Sequence, residues 1–186
     1  MTGATADLDV IDELTSDHRE VTSLLDRIGT TTDPADKREL ADVAITELVR
    51  HAVAEEMYVY PAMRDHLPDG EAVVKHDTEE HRDLERTMKE LEGVEATDPR
   101  FEQLVGELRS KLQHHVENEE SEQFPKFRER VPHDERVELR EKVDKAKKLA
   151  PTRPHPDAPR SPLFHKLVGP GVGLVDRVRD KLSGRT

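Results

Sequence analysis

The chain of 186 residues contains no cysteine. That absence excludes disulfides, thiolate metal sites and thiol nucleophiles. Aromatic residues amount to 3%, and no alternating run of β-branched residues reads as a strand, so the remaining pattern is helical. No apolar run approaches the roughly 18 residues that a membrane span requires. The opening residues, MTGATADLDVIDEL, have neither a basic start nor an apolar stretch, so no signal peptide is expected and a soluble, cytoplasmic protein is the default. A nucleophile elbow, a P-loop and a dinucleotide fingerprint are also missing, which leaves hydrolase and transferase readings without support.

Charge, by contrast, is abundant. Charged residues make up 38% of the chain and the mean hydropathy is −0.82, so any core must be built from narrow apolar stripes. Residues 151–186 hold seven Lys/Arg against three Asp, a local +4. The rest therefore carries −16 of the net −12. An acidic body lacks the clustered cations that phosphate contacts need, so no nucleic-acid partner is expected.

Four stripes at helical spacing precede residue 131. The first, over about 7–29, aligns Ile11, Leu14, His18, Val21, Leu25 and Ile28. The second opens at Asp33-Pro34, a cap followed by proline at the first helical position, and runs Ala44, Leu48, His51, Glu55, Tyr58. The third begins near 69–71 and carries Val74, Asp77, His81, Leu84, Met88 and Leu91. The fourth opens at Asp98-Pro99 and aligns Leu108, Leu112, His115, Glu119 and Glu122.

The second pair of stripes repeats the first. HAVAEEMYVYPAMR from His51 and HVENEESEQFPKFR from His115 share His, Glu-Glu, an aromatic, Pro and Arg in one register. Asp-His-Arg-Glu at 17–20 likewise returns as Glu-His-Arg-Asp at 80–83. The offsets are 63 residues for His18 and His81, 64 for His51 and His115, and 65 for the Asp-Pro caps. Two related helix pairs predict an all-α, antiparallel up-down four-helix bundle over 7–131 with a pseudo-two-fold axis. Pro61 and Pro125 are expected to kink or end their helices. Residues 132–150 predict one more charged, mostly solvated helix. Residues 151–186 read as a proline-rich linker and a basic, weakly amphipathic tail broken by Gly169-Pro170-Gly171.

A lone histidine on an apolar stripe is ordinarily a core residue, and a glutamate near a helix face is ordinarily solvated. Here the set decides. His-x-x-x-Glu spacing puts both side chains within about 40° on one helix face. Four helices thus direct His18, His51, Glu55, His81, His115 and Glu119 toward one axis. Burying two carboxylates with four imidazoles is costly unless something pairs with them, and no Lys or Arg shares their level. A metal suits this donor set, and six donors exceed one tetrahedral zinc, so two metals fit better.

These residues, with the EHR and FPKFR contexts, resemble the hemerythrin-like, HHE cation-binding family over residues 9 to about 130. The resemblance implies that His18, His51, Glu55, His81, His115 and Glu119 hold two non-haem iron ions, oxo- or hydroxo-bridged when oxidised, with Glu55 and Glu119 bridging or chelating. Oxygen-carrying members have a fifth histidine one turn before His81, where this chain has Asp77. Asp77 is a candidate seventh ligand or a hydrogen-bond acceptor for the His81 ring. His76, about 140° around the helix from His81, ranks lower. The carriers also place their last carboxylate where this chain has Glu120, but the internal repeat favours Glu119. Tyr58 lies on the ligand stripe as a core aromatic or as a phenol facing a bound oxygen species, and Glu122 is its repeat counterpart. His114 reads as a flank residue.

The implied function is a di-iron protein that binds or reacts with O₂, peroxide or NO, in sensing or detoxification, with catalase-like peroxide disproportionation as the enzymatic form. One alternative is a non-catalytic iron-binding or redox-sensing protein that signals through its C-terminal tail to a protein partner or a membrane surface. A weaker one is a structural zinc bundle.

Overall fold

The computed structural model describes residues 8–157, 172, 173, 175–177, 180 and 181. Those residues form helices and connections, with no strand among them. In chain order the helices are α1 (Val10–Thr30), α2 (Pro34–Ala54), α3 (Tyr60–His66), α4 (Gly70–Glu92), α5 (Pro99–Asn118), α6 (Phe124–Arg130) and α7 (His133–Leu149). None is long and apolar enough to cross a membrane.

Capping explains where the helices start. Asp9 accepts from the amides of Ile11 and Asp12, and Asp12 returns a bond to the Asp9 amide, a reciprocal cap. Helix α1 therefore begins three residues later than its apolar stripe suggested. Asp33 and Asp98 cap α2 and α5 through Ala35 and Arg100, each with proline in the first turn.

Helix α1 packs chiefly on α2, and α4 on α5. Contacts of α1 with α5 and of α2 with α4 join the two pairs. Ile28, Ile45, Leu91, Phe101 and Leu108 fill the core between the caps and the polar level. Helix α7 is mostly solvated, as its charge suggested, with one packed side. It lies against α1 and α2, burying Leu139, Val143 and Ala146.

The prolines do not end their helices. Between α2 and α3 the chain makes one π-helical turn, Glu55–Val59, and between α5 and α6 another, Glu119–Gln123. In each the following aromatic amide reaches back five residues, Tyr60 to the Glu55 carbonyl and Phe124 to the Glu119 carbonyl. Proline has no amide hydrogen and its ring crowds the carbonyl four residues back. A wider turn moves that carbonyl aside and lets the helix continue.

The C-terminal segment is docked where it is described. Thr152 and Arg153 are buried. Arg153 bonds both Glu92 at the end of α4 and Asp180, and His155 Nε2 bonds Asp176 at 2.9 Å. The expected linker from 158 onward and the Gly169-Pro170-Gly171 break lie outside the described residues.

Candidate metal centre

Six side chains meet in the middle of the bundle: His18 from α1, His51 from α2, His81 from α4, His115 from α5, and Glu55 and Glu119 from the first positions of the two π turns. All six are at most 4% exposed, so any charge among them needs a partner. Val21, Leu48, Leu84 and Leu112 are buried as well.

Each imidazole gives its Nδ1 to a carboxylate. His18 donates to Glu120 at 2.8 Å and His81 to Glu56 at 3.1 Å. His51 donates to Asp17 at 3.2 Å and His115 to Glu80 at 2.8 Å. An ionised carboxylate only accepts, so Nδ1 carries a hydrogen, and a ring in its neutral form presents its lone pair at Nε2.

Those lone pairs face one another. His18 and His51 bring their Nε2 atoms to 3.3 Å, and His81 and His115 theirs to 3.2 Å. Glu55 Oε2 lies 3.2 Å from His51 Nε2 and 3.3 Å from His81 Nε2. Glu119 puts Oε2 at 3.2 Å from His18 Nε2 and Oε1 at 3.5 Å from His115 Nε2. None of the four oxygens of Glu55 and Glu119 has a hydrogen-bond partner.

Electron pairs in such contact require positive charge between them, and protons or metal ions can supply it. The protonation tendencies show the demand. Burial disfavours the charged form of His51, yet Glu55 and Asp17 outweigh burial and raise its pKa well above the ordinary value. Burial acts against His81 too, but Glu55 and Glu56 push it up to about 10. His115 is also raised, by Glu119 and Glu80 against burial. Burial would raise Glu55, whereas His51 and His81 hold it well below the usual carboxylate range.

A metal fits the spacing. Donors about 2.1 Å from one ion at ordinary angles lie about 3.2 Å apart, close to the observed nitrogen–nitrogen separations. Two overlapping sets are compact enough: His18, His51, Glu55 and Glu119, and Glu55, His81 and His115. Glu55 belongs to both, so it can link two ions.

A family model for the hemerythrin HHE cation-binding domain matches residues 9–127. The chain belongs to that family. It is 27% identical to an uncharacterised hemerythrin-like protein of Schizosaccharomyces pombe, over 94% of this chain and 86% of that one. A DNA nickase of Nostoc sp. is also 27% identical, over 66% of this chain but only 34% of the nickase. No solved structure matches. As an HHE member the chain carries a cation-binding domain, with His/Glu clusters in place to hold a metal.

The additional candidates have separate fates. Asp77 is buried, accepts from Gln123 Nε2 at 3.1 Å and leaves Oδ2 without a hydrogen-bond partner. Burial and the Glu119 charge raise its pKa to about 6. It groups with Glu80 and His115, but the acceptor that fixes the His81 ring is Glu56. Glu120 fixes His18. His76 and His114 are exposed and lie beside Glu80.

Tyr58 and Glu122 leave the stripe. Tyr58 is half-buried and Glu122 exposed, because a π turn uses more residues per revolution than the 3.6 on which a helical stripe is drawn. Tyr60 takes the inward place, with its hydroxyl 3.0 Å from His81 Nε2. Its counterpart Phe124 stacks on His18, ring centroids 5.9 Å apart, as Tyr60 does on His81 at 5.4 Å, but brings no hydroxyl. The shared aromatic before each proline was the available sign, but not its direction.

Proposed function

We propose that the chain is a non-haem di-iron protein that reacts with O₂, peroxide or NO, with catalase-like disproportionation of peroxide as its enzymatic form. The observation that carries this reading is the meeting of four imidazole Nε2 atoms and two shared, hydrogen-bond-orphaned carboxylates at one buried level of the bundle. Imidazole and carboxylate donors in this number suit iron better than a single tetrahedral zinc.

Two iron ions there would supply redox chemistry toward small oxygen or nitrogen ligands. The protein's own part follows from its residues. His18, His51, His81, His115, Glu55 and Glu119 hold the ions, and the Nδ1 partners keep each ring turned inward. Tyr60 holds a proton at its hydroxyl, since burial and the Glu55 charge raise its pKa well above the ordinary value. The buried leucines and Val21 exclude bulk water. A surface groove of about 710 Å³, bordered by Ile11, Arg19, Glu120 and Phe124, reaches the two residues that back His18.

We assign the centre to 7–131 and treat α7 and the tail as additions. A non-catalytic sensing role is favoured by one observation: the tail binds back onto the bundle at Glu92 through Arg153. The activity named for the nickase relative is not carried over, because the acidic body of this chain is poorly suited to a phosphate backbone.

The test is metal analysis with an absorption spectrum of aerobically purified protein, before and after peroxide. About two irons per chain, near-ultraviolet charge-transfer bands, and oxygen release that His115→Ala abolishes are expected. Zinc alone, or no metal in an intact helical fold, would overturn the proposal.

A further inference from the structure

Outside the buried centre, the exposed faces of α4 and α5 bring together His76, Glu80 and His114. His76 and Glu80 are one turn apart on α4, so their side chains share a face. His114 reaches them from α5. The Nε2 atoms of His76 and His114 lie 3.3 and 3.5 Å from the same oxygen, Glu80 Oε1. Both distances exceed the 2.7–3.2 Å usual for such hydrogen bonds. The other Glu80 oxygen accepts from His115 Nδ1 at 2.8 Å, which anchors the carboxylate and aims Oε1 at the pair. Asn118 Nδ2 lies 3.4 Å from His114 Nε2, so that nitrogen can act as an acceptor.

We propose that His76, Glu80 and His114 form a second, surface-facing site for a divalent transition-metal ion. Two neutral imidazoles and one carboxylate on rigid helices, open to water on the outer side, suit zinc or copper(II), with solvent completing the coordination. The site shares Glu80 with the His115 ring. An ion on Oε1 draws charge from the carboxylate that orients His115 and so couples the surface to the buried centre. The geometry of the surface site does not depend on which metal fills that centre.

The experiment uses tag-free, full-length protein whose iron content is measured first. Zinc is added by calorimetry, and copper(II) in parallel for electron paramagnetic resonance. The unaltered chain is expected to take up a further zinc ion, with two nitrogen donors in the copper spectrum. His76→Ala and His114→Ala are each expected to weaken zinc at least about tenfold and remove one nitrogen, with iron per chain unchanged. His76 and His114 are 54% and 66% exposed, so neither truncation threatens the fold. Zinc held equally tightly by both variants, zinc that only displaces iron, or no uptake by the unaltered chain would each overturn the proposal. A chain that arrives without iron but still loses surface zinc in the variants would sink the di-iron reading and leave this one standing.

Discussion

At the scale of single residues, the division of labour within each histidine ring matters most. Nδ1 is committed to a carboxylate and Nε2 is left for the centre, in four rings from four helices. The ring-facing glutamates were visible in the sequence as the second member of each Glu-Glu pair, and Asp17 and Glu80 as the residues before His18 and His81. Their roles were not, because an Nδ1 contact between helices depends on register across the bundle. Tyr60 was hidden for another reason: helical spacing past Glu55 points to Tyr58. Tyr60→Phe tests its place. Removing a buried hydroxyl that meets His81 is expected to cost about 1 kcal/mol in chemical denaturation, with iron per chain unchanged and an altered absorption response to peroxide. Phe124, which fills the equivalent position in the other half, shows that a phenyl ring fits there.

At the scale of elements, the long helices and the starts of α2 and α5 were legible because 3.6-residue stripes and Asp-Pro caps are local signals. The π turns were not, since nothing in composition separates a proline that ends a helix from one accommodated by a wider turn. The junction of α3 and α4 gives a sharper test. A Cβ on Gly70 would overlap the Met63 carbonyl, so Gly70→Ala should lose about 1–3 kcal/mol and lower Tm. On α5, nothing lies within 4 Å of a Cβ built at Gly106. Gly106→Ala should instead gain up to about 1 kcal/mol in the same thermal melt, through helix propensity. The tail carries a pH dependence. The Asp176 hydrogen bond raises His155 above 6.5, against partial burial. Its contribution to docking is therefore complete below pH 6.5 and fades as pH rises through the higher folded value. Limited proteolysis near residues 172–181 should be faster at about pH 9 than at about pH 6, relative to cleavage within the bundle.

At the scale of the molecule, the internal repeat made the two helix pairs and the six central side chains readable, because both halves bury the same polar pattern. Docking of the C-terminal segment was not readable. It rests on single long-range pairs, such as Arg153 with Glu92 and Asp180, that leave no periodic trace. Removing 151–186 separates the functional readings. A catalytic bundle should keep its iron and its oxygen release from peroxide, with Tm lowered by a few degrees. A relay should keep the iron and lose its partner in a pull-down.

The halves also cross at the centre. His18 leans on Glu120 and His81 on Glu56, while Glu55 touches histidines of both halves. Neither half alone supplies either compact His/Glu set. A metal held there would cross-link two pieces of chain that meet at 67–69. In a protein without cysteine it would take the place of a disulfide, with a chelator as the reagent that opens it.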